Sequence, residues 1–217
     1  MLDTWTSNGI RGRGNLPPVA GNFGGTLALV AGGWPVWQDF MALEAMEATP
    51  WPHDIMVVND IGIFLPRPLT HWVSYHSDQL PHLVALREGH LGNSQIKRHI
   101  HTHGAPKPEG AECRWEFEAA GGTSTLFGVR VALAMGYDRV VLCGAPMDSG
   151  GHAWTPPPEM WVPDSFVKHG RFGNERLEQD WLQARDNEFS GRVRSLSGRT
   201  REWLGCPNGE WLNGFSG

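Results

Sequence analysis

Residues Gly121 to Asp148 read GGTST, then LFGVRVALAMGY, then DRVVLCGAPMD, and the rest of the chain is organised around them. Leu126, Val129, Ala132, Leu133 and Met135 recur at spacings of three and four behind Thr and Ser, which predicts a capped helix packed along one face and stopped by Gly136. Val140-Val141-Leu142-Cys143 is too short for a helix and is bounded by Asp138 and Gly144, so it reads as a strand buried on both faces. A helix feeding such a strand is half of a parallel α/β unit.

Outward from this unit the same alternation recurs. Strands are expected at 26–31, 54–58, 71–75, 96–103 and 192–196, and helices at about 35–48, 78–88, 171–189 and 199–204. The fold class that follows is α/β: a Rossmann-like, mostly parallel sheet flanked by helices, with an irregular lid at about 145–170. Residues 26–217 read as a single Rossmann-like domain, and 1–25, rich in Gly and Pro without periodicity, as an irregular N-terminal arm. Contact between subunits of a homo-oligomer and simple disorder are the two readings of that arm. Residues 104–120 read as an insertion ahead of the central helix.

A length of 217 residues and 40% hydrophobic content suffice to bury one core, or a core with a small lid. No apolar run approaches eighteen residues and no basic segment precedes an apolar one, so neither a membrane span nor a secretory signal is expected. The net charge of −5 leaves no basic surplus for nucleic acid; local basic groups occur at Lys168 to Arg176 and Arg192 to Arg201. Cys113, Cys143 and Cys206 are scattered thiols without CxxC spacing, which suits a reducing, cytoplasmic compartment. Tryptophan and proline concentrate at 34–52 and 154–163, where aromatic walls or irregular lids are expected.

In open α/β sheets ligands collect where loops leave the carboxyl ends of strands, and helix N-termini there offer N–H groups to anions. On this rule Gly32 and Gly33, Asn59 and Asp60, Thr123, Ser124 and Thr125, and the loop from Asp148 through His152 to Trp154 are the candidate site residues. Gly121-Gly122 reads either as a close-approach point for a ligand or as a tight loop, and Ser124 either as a phosphate donor or as a helix cap. Asn59 offers a base or ribose edge, or holds its own turn. His99, His101 and His103 fall on one face of their strand, either a metal site completed by Asp78 or Asp148 or a polar strand face.

The assembled order resembles the bacterial sialyltransferases of the single Rossmann-like domain type and the glycosyltransferase-like proteins of motility accessory factors. The resemblance rests on Ala31-Gly-Gly-Trp-Pro35, Val57-Val-Asn59, Thr123-Ser124-Thr125, Leu133-Ala-Met-Gly-Tyr137 and Leu142-Cys-Gly-Ala-Pro-Met-Asp148, in that order. The compact chain and its Trp-rich lid are also similar to small phage-borne relatives of that family. The resemblance implies a glycosyltransferase acting on a cytidine-nucleotide sugar donor and an acceptor, without metal or other cofactor. Gly32, Gly33, Asn59, Thr123 and Ser124 would line the donor pocket, and His169 would be the catalytic base. Thr125 stands where the family has Gly, and the family's phosphate-binding tyrosines are absent after the strand, so His152 or Trp154 would replace them.

Three functions follow as expectations. The first is metal-independent glycosyl transfer, to which the lack of any Asp-x-Asp pair in the chain conforms. A nucleotide-binding module without turnover is the second. The third is a metal-dependent hydrolase built on His99, His101 and His103.

Overall fold

The computed structural model describes residues 3–46, 54–91, 100–103, 111–119, 121–148, 150–153 and 175–213. The chain opens with a two-stranded hairpin, β1 (Thr4–Ser7) and β2 (Ile10–Arg13), where an irregular arm was expected. Asn8 and Gly9 turn it with φ of 49° and 84°, the left-handed pair that a two-residue hairpin turn requires. Trp5 and Ile10 point into the core, and Trp5 lies across Gly12, where an added Cβ would stand 2.0 Å from the indole.

Seven parallel strands follow: β3 (Thr26–Val30), β4 (Asp54–Val58), β5 (His71–Ser74), β6 (Ile100–His103), β7 (Cys113–Trp115), β8 (Arg139–Cys143) and β9 (Val193–Ser195), in the order β7-β6-β5-β4-β3-β8-β9. The sheet is the Rossmann-like arrangement that the sequence predicts. Its surprise is β7, three residues inside the segment expected to be an insertion; it extends the sheet beyond β6.

Side chains alternate across the central strands. Leu27 and Leu29 of β3 face one core layer and Ala28 and Val30 the other, so both faces must be covered by helices. One face carries α1 (Val36–Ala45), α2 (Ile61–Phe64) and α3 (Leu80–Leu91). Arg87 of α3 is buried there, donating to the carbonyls of Leu65 and Arg67 at 3.0 and 2.8 Å, where the end of α2 would otherwise leave acceptors unmatched.

The other face carries α4 (Ser124–Met135), buried from Leu126 to Met135 and packed against β3, β4, β5 and β8 as well as the hairpin. Its cap is Thr123 rather than Ser124: the Thr123 hydroxyl accepts the N–H of Leu126 at 3.1 Å. Gly136, at φ 107°, ends it as predicted. On the same face lies α5 (Glu175–Ala184), which adds Trp181 and Ala184 to this core layer and continues as a wider turn to Phe189; α6 (Gly198–Leu204) and α7 (Gly209–Asn213) follow, and α7 sends Trp211 into the opposite layer. Arg130 joins α4 to that turn by a bidentate pair with Glu188, at 2.7 and 2.9 Å. Its remaining N–H groups reach the carbonyls of Ala119 and Gly121 and so fix the entry to α4.

Candidate functional site

Strand β3 is followed by α1 on one face of the sheet, whereas its neighbour β8 is reached through α4 on the other. The chain therefore diverges between β3 and β8, and the loops leaving their carboxyl ends flank the switch point at which such sheets bind ligands. Their described residues are 31–35, 144–148 and 150–153, and they interlock. Ala31 N–H donates to Cys143 O, Gly33 N–H to Gly144 O, Trp34 N–H to Gly151 O and Ala153 N–H to Gly32 O, at 2.7–3.0 Å, and Gly33 and His152 pair as an antiparallel bridge. The contact tolerates no side chain at two points. A Cβ on Gly33 would stand 2.4 Å from Pro146, and one on Gly144 would stand 2.3 Å from the Ala31 carbonyl oxygen.

A buried carboxylate holds the exit of β8 from below. Asp39 of α1 accepts the Gly144 N–H at 2.8 Å and the Ser197 hydroxyl at 2.6 Å, both on Oδ2. Burial pushes its pKa up from the ordinary value, against the pull of these two bonds and of Arg201. The neighbouring Cys143 thiol is pushed up by burial and by Asp39, which keeps it inert. The start of α6 completes the clamp: Arg199 N–H donates to Pro146 O at 2.8 Å and the Thr200 hydroxyl to Ala145 O at 2.6 Å. So supported, Met147 holds a left-handed φ of 53°, a conformation that an ordinary side chain disfavours and that tends to mark functional loops.

Above this clamp stand the polar groups. His152 is exposed, with Nδ1 3.2 Å from the Gly32 carbonyl oxygen; only a protonated Nδ1 can donate to a carbonyl, so in the neutral ring the lone pair lies on Nε2. Asp148 accepts the indole N–H of Trp34 at 3.1 and 3.3 Å and the Gly150 N–H at 2.9 Å. Gly32, Gly33, Asp148 and His152 are thus brought together, as expected from their positions after β3 and β8.

Other candidates lie further along the same edge. Asn59, left-handed at φ 55°, follows β4; its Oδ1 accepts the Ser74 hydroxyl at 2.8 Å and its carbonyl the Trp72 indole at 2.8 Å. Its side-chain oxygen is thus tied to β5, the neighbouring strand. Asp60 is buried just ahead of α2. Thr123, Ser124 and Thr125 open α4 beyond the ends of β5 and β6, because Phe127 packs on Tyr75 and His103, which leave those strands. Two strand spacings, about 10 Å, separate the ends of β3 and β5. Gly121 lies against the Asp180 carboxylate, from which an added Cβ would stand 3.2 Å, and a Cβ on Gly122 would stand 2.5 Å from Leu126. The glycine pair is therefore accounted for by close packing, and a carboxylate already lies beside the start of α4.

The histidine strand divides. His101 is wholly buried, with its two ring nitrogens engaged by His71 and Trp115, so it offers no metal ligand. His103 stacks on Tyr75 at a centroid distance of 4.4 Å, and burial lowers its pKa. Among the described residues, no group of three or more His, Cys, Asp or Glu is placed to hold a metal ion. His99, His169 and Trp154 lie outside the described residues, as does most of the expected lid.

Asp39 is not among the candidates expected from the sequence, although it interrupts the apolar spacing Val36, Phe40, Leu43; Trp34, directly after the Gly-Gly turn, falls within the stretch Ala31-Gly-Gly-Trp-Pro35 on which the resemblance rests. Comparison with protein-family models, curated proteins and solved structures finds no match to the chain. The chain is a doubly wound parallel α/β protein with interlocked loops at its switch point. Among the described residues no helix is long and apolar enough to cross a membrane.

Proposed function

We propose that this protein is a glycosyltransferase-like enzyme that binds a cytidine-nucleotide sugar at the β3/β8 switch point and transfers the sugar to an acceptor hydroxyl without a metal ion. The observation that carries the reading is His152, held by the Gly32 carbonyl so that its basic nitrogen is Nε2, at the place where such folds bind nucleotides. Nε2 takes the acceptor's hydroxyl proton as the acceptor oxygen bonds to the sugar carbon. The bond from that carbon to the phosphate oxygen breaks, and the nucleotide leaves as an anion. His169 is the other candidate base, on the resemblance described above. The absence of Asp-x-Asp pairs supports a metal-free donor site.

Calorimetry in chelator tests binding: cytidine monophosphate is expected to bind, and a hundredfold excess over Kd to raise stability by about 2.7 kcal/mol. Binding only with magnesium or manganese overturns the metal-free reading. For the chemistry, His152→Ala is expected to keep nucleotide affinity within a few-fold while turnover falls by about 10², or about 2.7 kcal/mol of barrier. Unchanged turnover in His152→Ala with loss in His169→Ala would move the base to His169. Binding with no product from any acceptor would favour a nucleotide-binding module.

A further inference from the structure

Trp34 is 46% exposed, whereas Trp72, Trp115 and Trp181 are wholly buried. Yet it is fixed. Its backbone N–H donates to Gly151 O at 3.0 Å, and its indole N–H is shared between the two oxygens of Asp148 at 3.1 and 3.3 Å. Gly150 lies so close to the five-membered ring that a Cβ there would stand 2.0 Å from Cδ1. Holding a large ring in one orientation costs rotamer freedom, and here much of the ring stays in water, so stability alone does not account for the arrangement. The Gly-Gly turn before it and the bridge from Gly33 to His152 set this indole at the mouth of the switch point.

We infer that Trp34 is the platform on which the base of the bound nucleotide stacks, with Asp148 setting the angle of the ring; the inference rests on the nucleotide-binding reading above. A base presents a flat π face whatever its edge pattern, and a stack on an indole is strong enough to dominate the affinity of a small ligand. The carboxylate beside the indole edge disfavours an anionic group there, so the uncharged base, and not the phosphate, occupies this loop.

Calorimetry with cytidine and with cytidine monophosphate tests this on wild type, Trp34→Ala, Trp34→Phe and Trp37→Ala. Trp37, 38% exposed on the first turn of α1, has no indole hydrogen bond among the described residues and controls for loss of an exposed ring. Trp34→Ala is expected to weaken both ligands equally, by about 10- to 100-fold, with Trp34→Phe retaining most of the affinity and Trp37→Ala matching wild type. Its thermal melt should match wild type, since the ring is not part of the core. Wild-type affinity for cytidine in Trp34→Ala overturns the platform and leaves the nucleotide site standing, as does a loss confined to the phosphorylated ligand. Failure of the wild-type protein to bind either ligand overturns the platform and the proposed function together.

Discussion

Trp115 donates its indole N–H to Nδ1 of His101 at 3.0 Å, and this one contact orients a chain of buried hydrogen bonds. An indole nitrogen can only donate, so His101 Nδ1 carries the lone pair and the proton of the neutral ring sits on Nε2. That proton faces Nδ1 of His71 at 3.2 Å; the His71 proton then sits on Nε2, 2.8 Å from the Tyr137 oxygen. The Tyr137 hydroxyl in turn donates to Asp54, and burial with that carboxylate alongside raises its pKa strongly. The chain crosses from β7 to the start of β4 beneath α4 and has a single polarity.

Trp115→Phe therefore tests more than packing. It removes the obligate donor from His101 while keeping a ring against Trp5 and Phe117, its aromatic neighbours. Urea denaturation is expected to show a loss of about 1–3 kcal/mol, the cost of taking a partner from a buried polar group. A change within about 0.5 kcal/mol, as for an ordinary surface substitution, would show that the chain contributes nothing to stability.

Asp39 yields a pair of opposed outcomes. Its folded pKa is raised by burial, so the folded state holds the proton longer than the unfolded state does. Its contribution is therefore most favourable below the ordinary carboxyl value of 3.8 and falls as pH rises through the raised one, remaining low at neutrality. Both its donors converge on one oxygen, which an amide carbonyl can replace. At pH 7, Asp39→Asn is expected to stay within about 1 kcal/mol of wild type, whereas Asp39→Ala leaves the Gly144 N–H without its acceptor and loses about 1–3 kcal/mol. Equal losses in chemical denaturation would show that the charge itself matters, through Arg201.

His103 carries a pH dependence of opposite sign. Burial lowers its pKa below 6.5, with Arg114 adding to the effect and a bond to the Trp115 backbone opposing it. The stability it contributes is complete above about pH 6.5 and is lost as pH falls through the lowered folded value. His103→Gln removes the titration, and melting temperatures measured from pH 7.5 to 5 are expected to decline less steeply than in wild type. Superimposable profiles would exclude His103 from the acid limb.

Elements whose signal is local are legible in the chain alone. Val140 to Cys143 and Asp54 to Val58 are apolar runs of strand length, and Leu126 to Met135 bears Thr123 at one end and Gly136 at the other. Parallel order followed because helices alternate with such strands, and the loops after β3 and β8 were legible as site candidates for the same reason. The hairpin had a local signal too, Asn8-Gly9, but Arg and Gly in Ile10–Arg13 obscured its alternation. Other features depend on contacts between distant parts of the chain. Strand β7 has three residues, too few for any period to show, and exists because β6 offers it an edge. His101 was legible as one of three imidazoles on a strand face. What those rings meet depends on the registers that pair Val73 with His101 and His101 with Cys113, and on α4 bringing in Tyr137. The grip of Asp148 on Trp34 joins residues 114 positions apart. Periodicity records which face a residue buries; which partner it finds there is set by crossovers between strands distant in sequence, and no local pattern encodes that.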